Sequence, residues 1–277
     1  MASLTRNSAA FEAYLKGRYA WHKATEADLQ KSLGFFQQAR DLDPGYPLAH
    51  AAIAEAYVSL AINGIRRPKD CFLNAEAAAQ QALALNDSVA DTHAALALIK
   101  CYWNWDWAGA EHEFLRALDL APGLATAHHS YAHFLPEMGR HDEALAEVKR
   151  AQELEPLSAA INSDAGWFYF RARRYDEAIA ECRKVLDLEP GFQSLEACIL
   201  MRLIKKGMLE EARSEALRFL EGHGRAGQMP GLDAADPAQA MRNLDLDSIE
   251  MMKKMQQSRY IGQYGFDQPL CGSGRPG

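Results

Sequence analysis

Apolar positions along most of this chain recur three and four residues apart, and the recurring stretches come in pairs separated by short breaks. The stretch 125–158 is the clearest case. Its first half, Ala125 to Met138, contains no glycine and one late proline, and it breaks at Gly139, where a helix stops readily. Its second half, Asp142 to Leu154, opens on acidic residues suited to a helix N-terminus and ends before Pro156. Ala144, Val148 and Ala151 fall four and three residues apart, on one helical face. The same face recurs downstream as Ala178, Cys182 and Val185, then as Ala212, Ala216 and Phe219. Upstream it recurs as Ala110, Phe114 and Ala117, as Ala75, Ala79 and Ala82, and more loosely as Ser32, Phe36 and Ala39. Small side chains at these positions have a physical reason, because antiparallel helices approach to about 8–10 Å only where the contact residues are short. No stretch alternates like a strand, so the pattern predicts an all-α fold.

The pairs repeat at a fixed interval. LDPGY (42–46), LNDSV (85–89), LAPGL (120–124), LEPLS (154–158) and LEPGF (188–192) occupy equivalent slots, with Asp87 standing where the others have Pro44, Pro122, Pro156 and Pro190. Successive intervals are 43, 35, 34 and 34 residues. A second tag, Asp142-Glu143-Ala144, Asp176-Glu177-Ala178 and Glu210-Glu211-Ala212, repeats at 34 and 34. A period of this size marks a stacked array of small units, each too small to bury its apolar face alone.

With alanine at unit position 20, a larger apolar residue near 24, alanine near 27 and proline at 32, the chain resembles the tetratricopeptide repeat. Gly166 and Tyr169 occupy the small and tyrosine slots of one unit. The resemblance implies an α-solenoid, a right-handed superhelix of about six helix-turn-helix units spanning 1–222. The units fall at about 10–46, 47–89, 90–124, 125–158, 159–192 and 193–222. The second carries nine extra residues, expected as a loop from Gly64 to Asp70, and the third places Trp103, Trp105 and Trp107 at its turn. The tryptophans are expected to fill the gap between that insertion and its neighbouring helix. AYLKGRYAWHKAT (13–25) and WNWDWAGAEHEF (103–114) further resemble the repeat region of bacterial winged-helix transcriptional regulators and adenylate cyclases. The likeness implies an alternative role, a detached sensory or regulatory domain whose effector is encoded elsewhere.

Beyond the array, 223–237 is rich in Gly, Pro and Asp and reads as a linker. Residues 238–258 form a candidate capping helix, with Met241, Leu244, Ile249, Met252 and Met255 as its apolar contacts, because a solenoid needs its last stacking face covered. Residues 259–277 read as an incomplete repeat and a disordered tail.

In the first helix of each unit, positions 4, 7, 8 and 11 face the packed side, and positions 2, 5, 9 and 12 point about 130° away at about 100° per residue. The resemblance implies that the second set lines a concave groove. In this chain the set is Asp91, Ala94, Leu98 and Cys101, then Thr126, His129, His133 and Pro136, then Ala160, Ser163, Trp167 and Phe170, then Ser194, Ala197, Met201 and Ile204. The candidate partner-binding residues are Tyr102, His129, His133, Glu137, Trp167, Phe170, Arg171, Met201 and Lys205. Mixed aromatics, donors and both signs of charge suit a peptide or protein partner, where Trp, Tyr and Arg anchor. The Lys and Asn set of the family's carboxylate clamp for chaperone tails is absent at these positions. His50, His93 and His128 share position 4 of three units and are expected to be structural. His129, His133 and Glu137 recur every fourth residue but lack an HExxH pattern, so no metal is assigned.

Composition narrows the function classes. Of 277 residues 48% are hydrophobic and 24% charged, with a net charge of −7, as in folded rather than disordered chains. The acidity argues against a general nucleic-acid binder. There is no apolar run of the roughly 18 residues a membrane span needs, and no secretory signal. Cys71, Cys101, Cys182, Cys198 and Cys271 show no C-x-x-C pair and are expected as reduced, buried thiols. No nucleophile elbow, phosphate loop or kinase signature is present. The expectation is a cytoplasmic, non-catalytic interaction protein without a cofactor.

Overall fold

The computed structural model describes residues 5–23, 26–188, 199–200 and 202–222. Met201, the linker 223–237, the candidate cap 238–258 and the tail 259–277 lie outside the described residues. Every regular element among those residues is helical: α1 (Ser8–His22), α2 (Glu26–Leu42), α3 (Pro47–Ile62), α4 (Pro68–Leu85), α5 (Ala90–Ile99), α6 (Trp107–Leu120), α7 (Ala125–Phe134), α8 (His141–Leu154), α9 (Ala159–Arg171), α10 (Tyr175–Leu188) and α11 (Leu209–Gly222). Two compact units divide between Ala160 and Ile161.

In the first unit the helices pair as expected, α1 with α2, α3 with α4, α5 with α6 and α7 with α8, and the pairs lie side by side through α2–α3, α3–α5, α5–α7 and α6–α7. Ends are set locally. The Asn7 side chain accepts the Ala9 and Ala10 N–H groups at the start of α1, and Asp106 accepts that of Gly109 at the start of α6. Pro47 and Pro68 open α3 and α4, where a missing N–H costs nothing. Position 8 of the first helix is small and buried in each pair, as Gly17, Ala54, Ala97 and Ala132. A Cβ on Gly17 would come within 2.4 Å of the Phe36 ring, so only glycine lets α1 approach α2 there. The core follows the alanine slots: Ala75, Ala79, Ala82, Ala110, Ala117, Ala144 and Ala151 are at most 1% exposed.

The unequal sequence intervals have two structural origins. The insertion is a five-residue turn at 63–67 plus lengthened helices, not a loop reaching Asp70, because Pro68 is already the first residue of α4. The extra residue behind the 35-residue interval is absorbed in a π-turn, Lys100–Asn104, whose end leaves Trp105 left-handed at φ 58° with its N–H on the Lys100 carbonyl.

Position-4 histidines tie the pairs together. Nε2 of His50, His93 and His128 lies 3.0, 2.8 and 3.0 Å from the carbonyl oxygens of Pro44, Asp87 and Pro122. Nδ1 of His93 and His128 lies 2.7 and 2.5 Å from Glu113 and Glu147 on the second helix of the same pair. The expected structural role thus has a stated geometry: each ring straps the inter-pair turn to its own helix.

In the second unit, Ile179, Cys182, Val185, Ile199, Leu203, Ala212 and Ala216 form one core. Gly166 sits against α10 so closely that a Cβ would lie 2.6 Å from Cys182 Sγ and 3.2 Å from the Ala178 carbonyl. Turns within pairs repeat a left-handed residue at Gly139, Arg173 and Gly207, with φ of 75°, 59° and 76°. In each, two successive N–H groups bond back to carbonyls of the preceding helical turn, as Arg173 to Phe170 and Arg174 to Tyr169.

Candidate binding surface

The first helices α1, α3, α5 and α7 of the first unit set one face around a shared recess. It is lined by Trp21, Glu55, Ser59, Ala94, Ala95, Leu98, Thr126 and Ser130. Ala94, Leu98 and Thr126 are groove positions read from the repeat. Trp21 and Glu55 obey the same rule, as positions 12 and 9 of units beginning at 10 and 47. Applying the rule to those two earlier units would have found them, together with Tyr14 and Arg18.

Arg18 Nη1 donates to Glu55 Oε2 at 2.7 Å, with side chains 15% and 8% exposed. The Arg18 guanidinium also lies 5.0 Å from the Trp21 ring centroid, and Trp21 Nε1 donates to Ser59 Oγ at 3.3 Å. Burial pushes the Glu55 carboxyl up to about 7, with Arg18 opposing that rise and Asp91 adding to it. Burial disfavours the charge on Arg18, but Glu55, Tyr14 and Asp91 outweigh it and hold the guanidinium above its ordinary value. Burial, followed by Arg18, lowers the pKa of His22.

None of Tyr102, His129, His133 and Glu137 lines the recess. Tyr102 is half-buried and packs on the core built from α2 to α5. The rings of His129 and His133 meet edge to face at 4.8 Å, both half-buried. Glu137 follows the change from α7 to a tighter turn at Leu135–Met138, so the fourfold spacing no longer keeps it on the histidine face. Its charge instead reaches Cys101. Cys101, assigned to the groove by position, is 1% exposed, because the π-turn advances every position after Lys100 by one residue. Burial, with Glu137 second, pushes the Cys101 thiol up to about 12. Pro136 is buried too.

The tryptophans of the same turn divide. Trp103 stacks on Phe72 of α4 at 5.5 Å and 14°, as expected for a residue packing beside the insertion. Trp107 packs against Phe134 at 6.3 Å, and Trp105 is 49% exposed.

In the second unit the Arg171 guanidinium lies 5.2 Å from the Trp167 ring centroid, and Arg202 lies 5.1 Å from that of Phe170. Trp167, Phe170 and Arg171 are half-buried and Lys205 is exposed. Arg202 was not singled out from the sequence, and its 3% exposure marks it as a buried cation on an aromatic face. Among the described residues no helix is long and apolar enough to cross a membrane.

Comparison with known proteins places this geometry. The tetratricopeptide-repeat profile matches residues 159–192, the unit read from the sequence with the same bounds. No curated protein sequence matches significantly. Among solved structures, the chain is similar to TTC0263, a thermophilic TPR protein of Thermus thermophilus, at 19% identity over 71% of this chain and 100% of that one, with a TM-score of 0.56. It is similar to PilW, a type IV pilus biogenesis factor, at 17% identity over 78% and 96%, with a TM-score of 0.56. It is also similar to human IFIT1, solved as a dimer with m7Gppp-AAAA, at 16% identity over 87% of this chain and 59% of that one, with a TM-score of 0.60. At these identities the likeness is one of fold: the chain carries a tetratricopeptide repeat at 159–192 and is built from paired helices as tetratricopeptide-repeat proteins are.

Proposed function

We propose that this chain is a non-catalytic, cytoplasmic scaffold that holds a peptide or a helix of a partner protein on the face presented by its first helices. The observation that carries this reading is the shared recess of the first unit. Four consecutive first helices each contribute to it, with an aromatic ring, a carboxylate and three hydroxyls among the lining. A wall with anchoring aromatics and satisfied charges is what a polypeptide partner requires. On the second unit the same role falls to Trp167, Phe170, Arg171 and Lys205, with Met201 assigned by repeat position alone. Tyr102, His129, His133 and Glu137 are proposed to flank the surface of the first unit. The regulatory alternative rests on the stretches 13–25 and 103–114.

Affinity capture from the host lysate tests the reading. Wild-type protein is expected to retain a discrete partner. The double variant Trp167→Ala/Arg171→Ala is expected to lose it while keeping its helicity and melting temperature. Capture that survives the double variant removes those two residues from the binding surface.

A further inference from the structure

We infer that the recess between α1, α3, α5 and α7 is a seat for a primary ammonium group, the side-chain end of a lysine in a bound peptide. This rests on the reading of the first-helix face as a peptide surface and adds the chemistry of one anchor.

Three independent features of the recess converge. The first is an orphaned hydroxyl. Thr126 lines the recess, is 4% exposed, and its Oγ1 is buried without a hydrogen-bond partner. Buried polar atoms left unpaired are rare and costly, and an incoming N–H would satisfy this one. Ser130 and Ser59 line the same space, and Ser59 accepts from Trp21. With the Glu55 carboxylate, the lining is rich in acceptors, as a three-donor ammonium demands.

Charge is the second feature. Arg18 pairs with Glu55 and accounts for one carboxylate. Asp91 and Glu155 lie near enough to act on Arg18, which leaves the acidic groups in excess of the single guanidinium. Lys16 of α1 is taken up by Glu12, and burial drives His22 at the end of α1 towards its neutral form. A cation at the recess therefore faces more acidic groups than basic ones, and its charge favours the ionised form of Glu55.

Size is the third. The recess offers about 20 Å³. That suffices for one water-sized group, which needs roughly 10–15 Å³. An –NH3+ group has that size. A planar guanidinium and a trimethylammonium are both bulkier, so the seat should prefer lysine over arginine and over methylated lysine at equal charge. Half-buried Leu98 is the apolar side along which a lysine stem would lie.

The test uses three fluorescein-labelled, end-blocked hexapeptides alternating alanine with lysine, arginine or Nε-trimethyllysine, titrated with full-length protein by polarisation. The lysine peptide is expected to bind about tenfold tighter than either analogue. Thr126→Val should weaken the lysine peptide about fivefold and leave the arginine peptide unchanged. Thr126→Ser, which keeps the hydroxyl, should retain the preference, and Glu55→Gln should abolish it. The seat is overturned if the three peptides bind alike, if the lysine peptide does not bind, or if Thr126→Ser loses the preference. None of these outcomes touches the capture experiment above, so the broader reading stands or falls separately.

Discussion

His128 Nδ1 lies 2.5 Å from Glu147 Oε2, while the opposite ring nitrogen faces the Pro122 carbonyl at 3.0 Å. Both neighbours are acceptors, an arrangement in which the protonated ring can donate from both nitrogens. The Glu147 hydrogen bond is the main cause that raises the His128 pKa; burial works against it, and the Pro122 carbonyl adds to the rise. A histidine whose folded pKa is raised stabilises the fold fully below its unfolded pKa of about 6.5, and that stabilisation fades as pH rises through the folded value. Glu147→Gln should therefore cost about 1.5–3 kcal/mol at pH 5.5, with a smaller difference at pH 9. Urea unfolding of both proteins across that range checks it; a difference that grows with pH would refute the assignment.

Arg173 occupies a left-handed position that its counterparts 34 residues away fill with Gly139 and Gly207. A side chain with φ of 59° is strained where glycine is not. Arg173→Gly should stabilise the protein by about 1 kcal/mol, and Gly139→Ala should destabilise it by a similar amount. Thermal melts of the two variants should move in opposite directions.

Gly166 has no room for a methyl group. Gly166→Ala should cost about 1–3 kcal/mol, since its Cβ meets Cys182 Sγ and the Ala178 backbone. Removing the sulfur relieves the first clash but not the second. In a double-mutant cycle, Cys182→Ala should recover part of the loss, and strict additivity would show that the contact is not what excludes alanine.

Cys101 should be inert in the native protein. With its thiol pushed up to about 12 by burial and by Glu137, almost no thiolate exists at pH 8. Iodoacetamide labelling followed by peptide mapping should find Cys101 modified only after unfolding. Native labelling at a rate comparable with free cysteine would contradict the burial.

The architecture was legible because repetition averages over local ambiguity. Six recurring sets of mostly small contact residues and a recurring 34-residue interval outweigh any single misread helix. Side-chain direction was legible only as far as the helix stayed regular. The position rule placed Ala94, Leu98 and Thr126 on the recess and failed at Cys101, one residue beyond the start of the π-turn. Glu137 likewise follows a change of helical pitch after Phe134, where the position rule no longer gives side-chain direction. Arg18 and Glu55 went unread although the rule reaches them, because the first two units are irregular in length. Their burial as an ion pair depends on packing between helices 37 residues apart in sequence, which no local pattern reveals.

The π-turn has a consequence for how such chains change. A residue added at 100–104 is taken up at a corner, and Ala110, Phe114 and Ala117 still reach their partners. The same addition inside α6 would swing those three about 100° away from the interface. One-codon insertions and deletions should thus be survivable at the bend and damaging a few residues later, which makes the bend a natural buffer for drift in gene length.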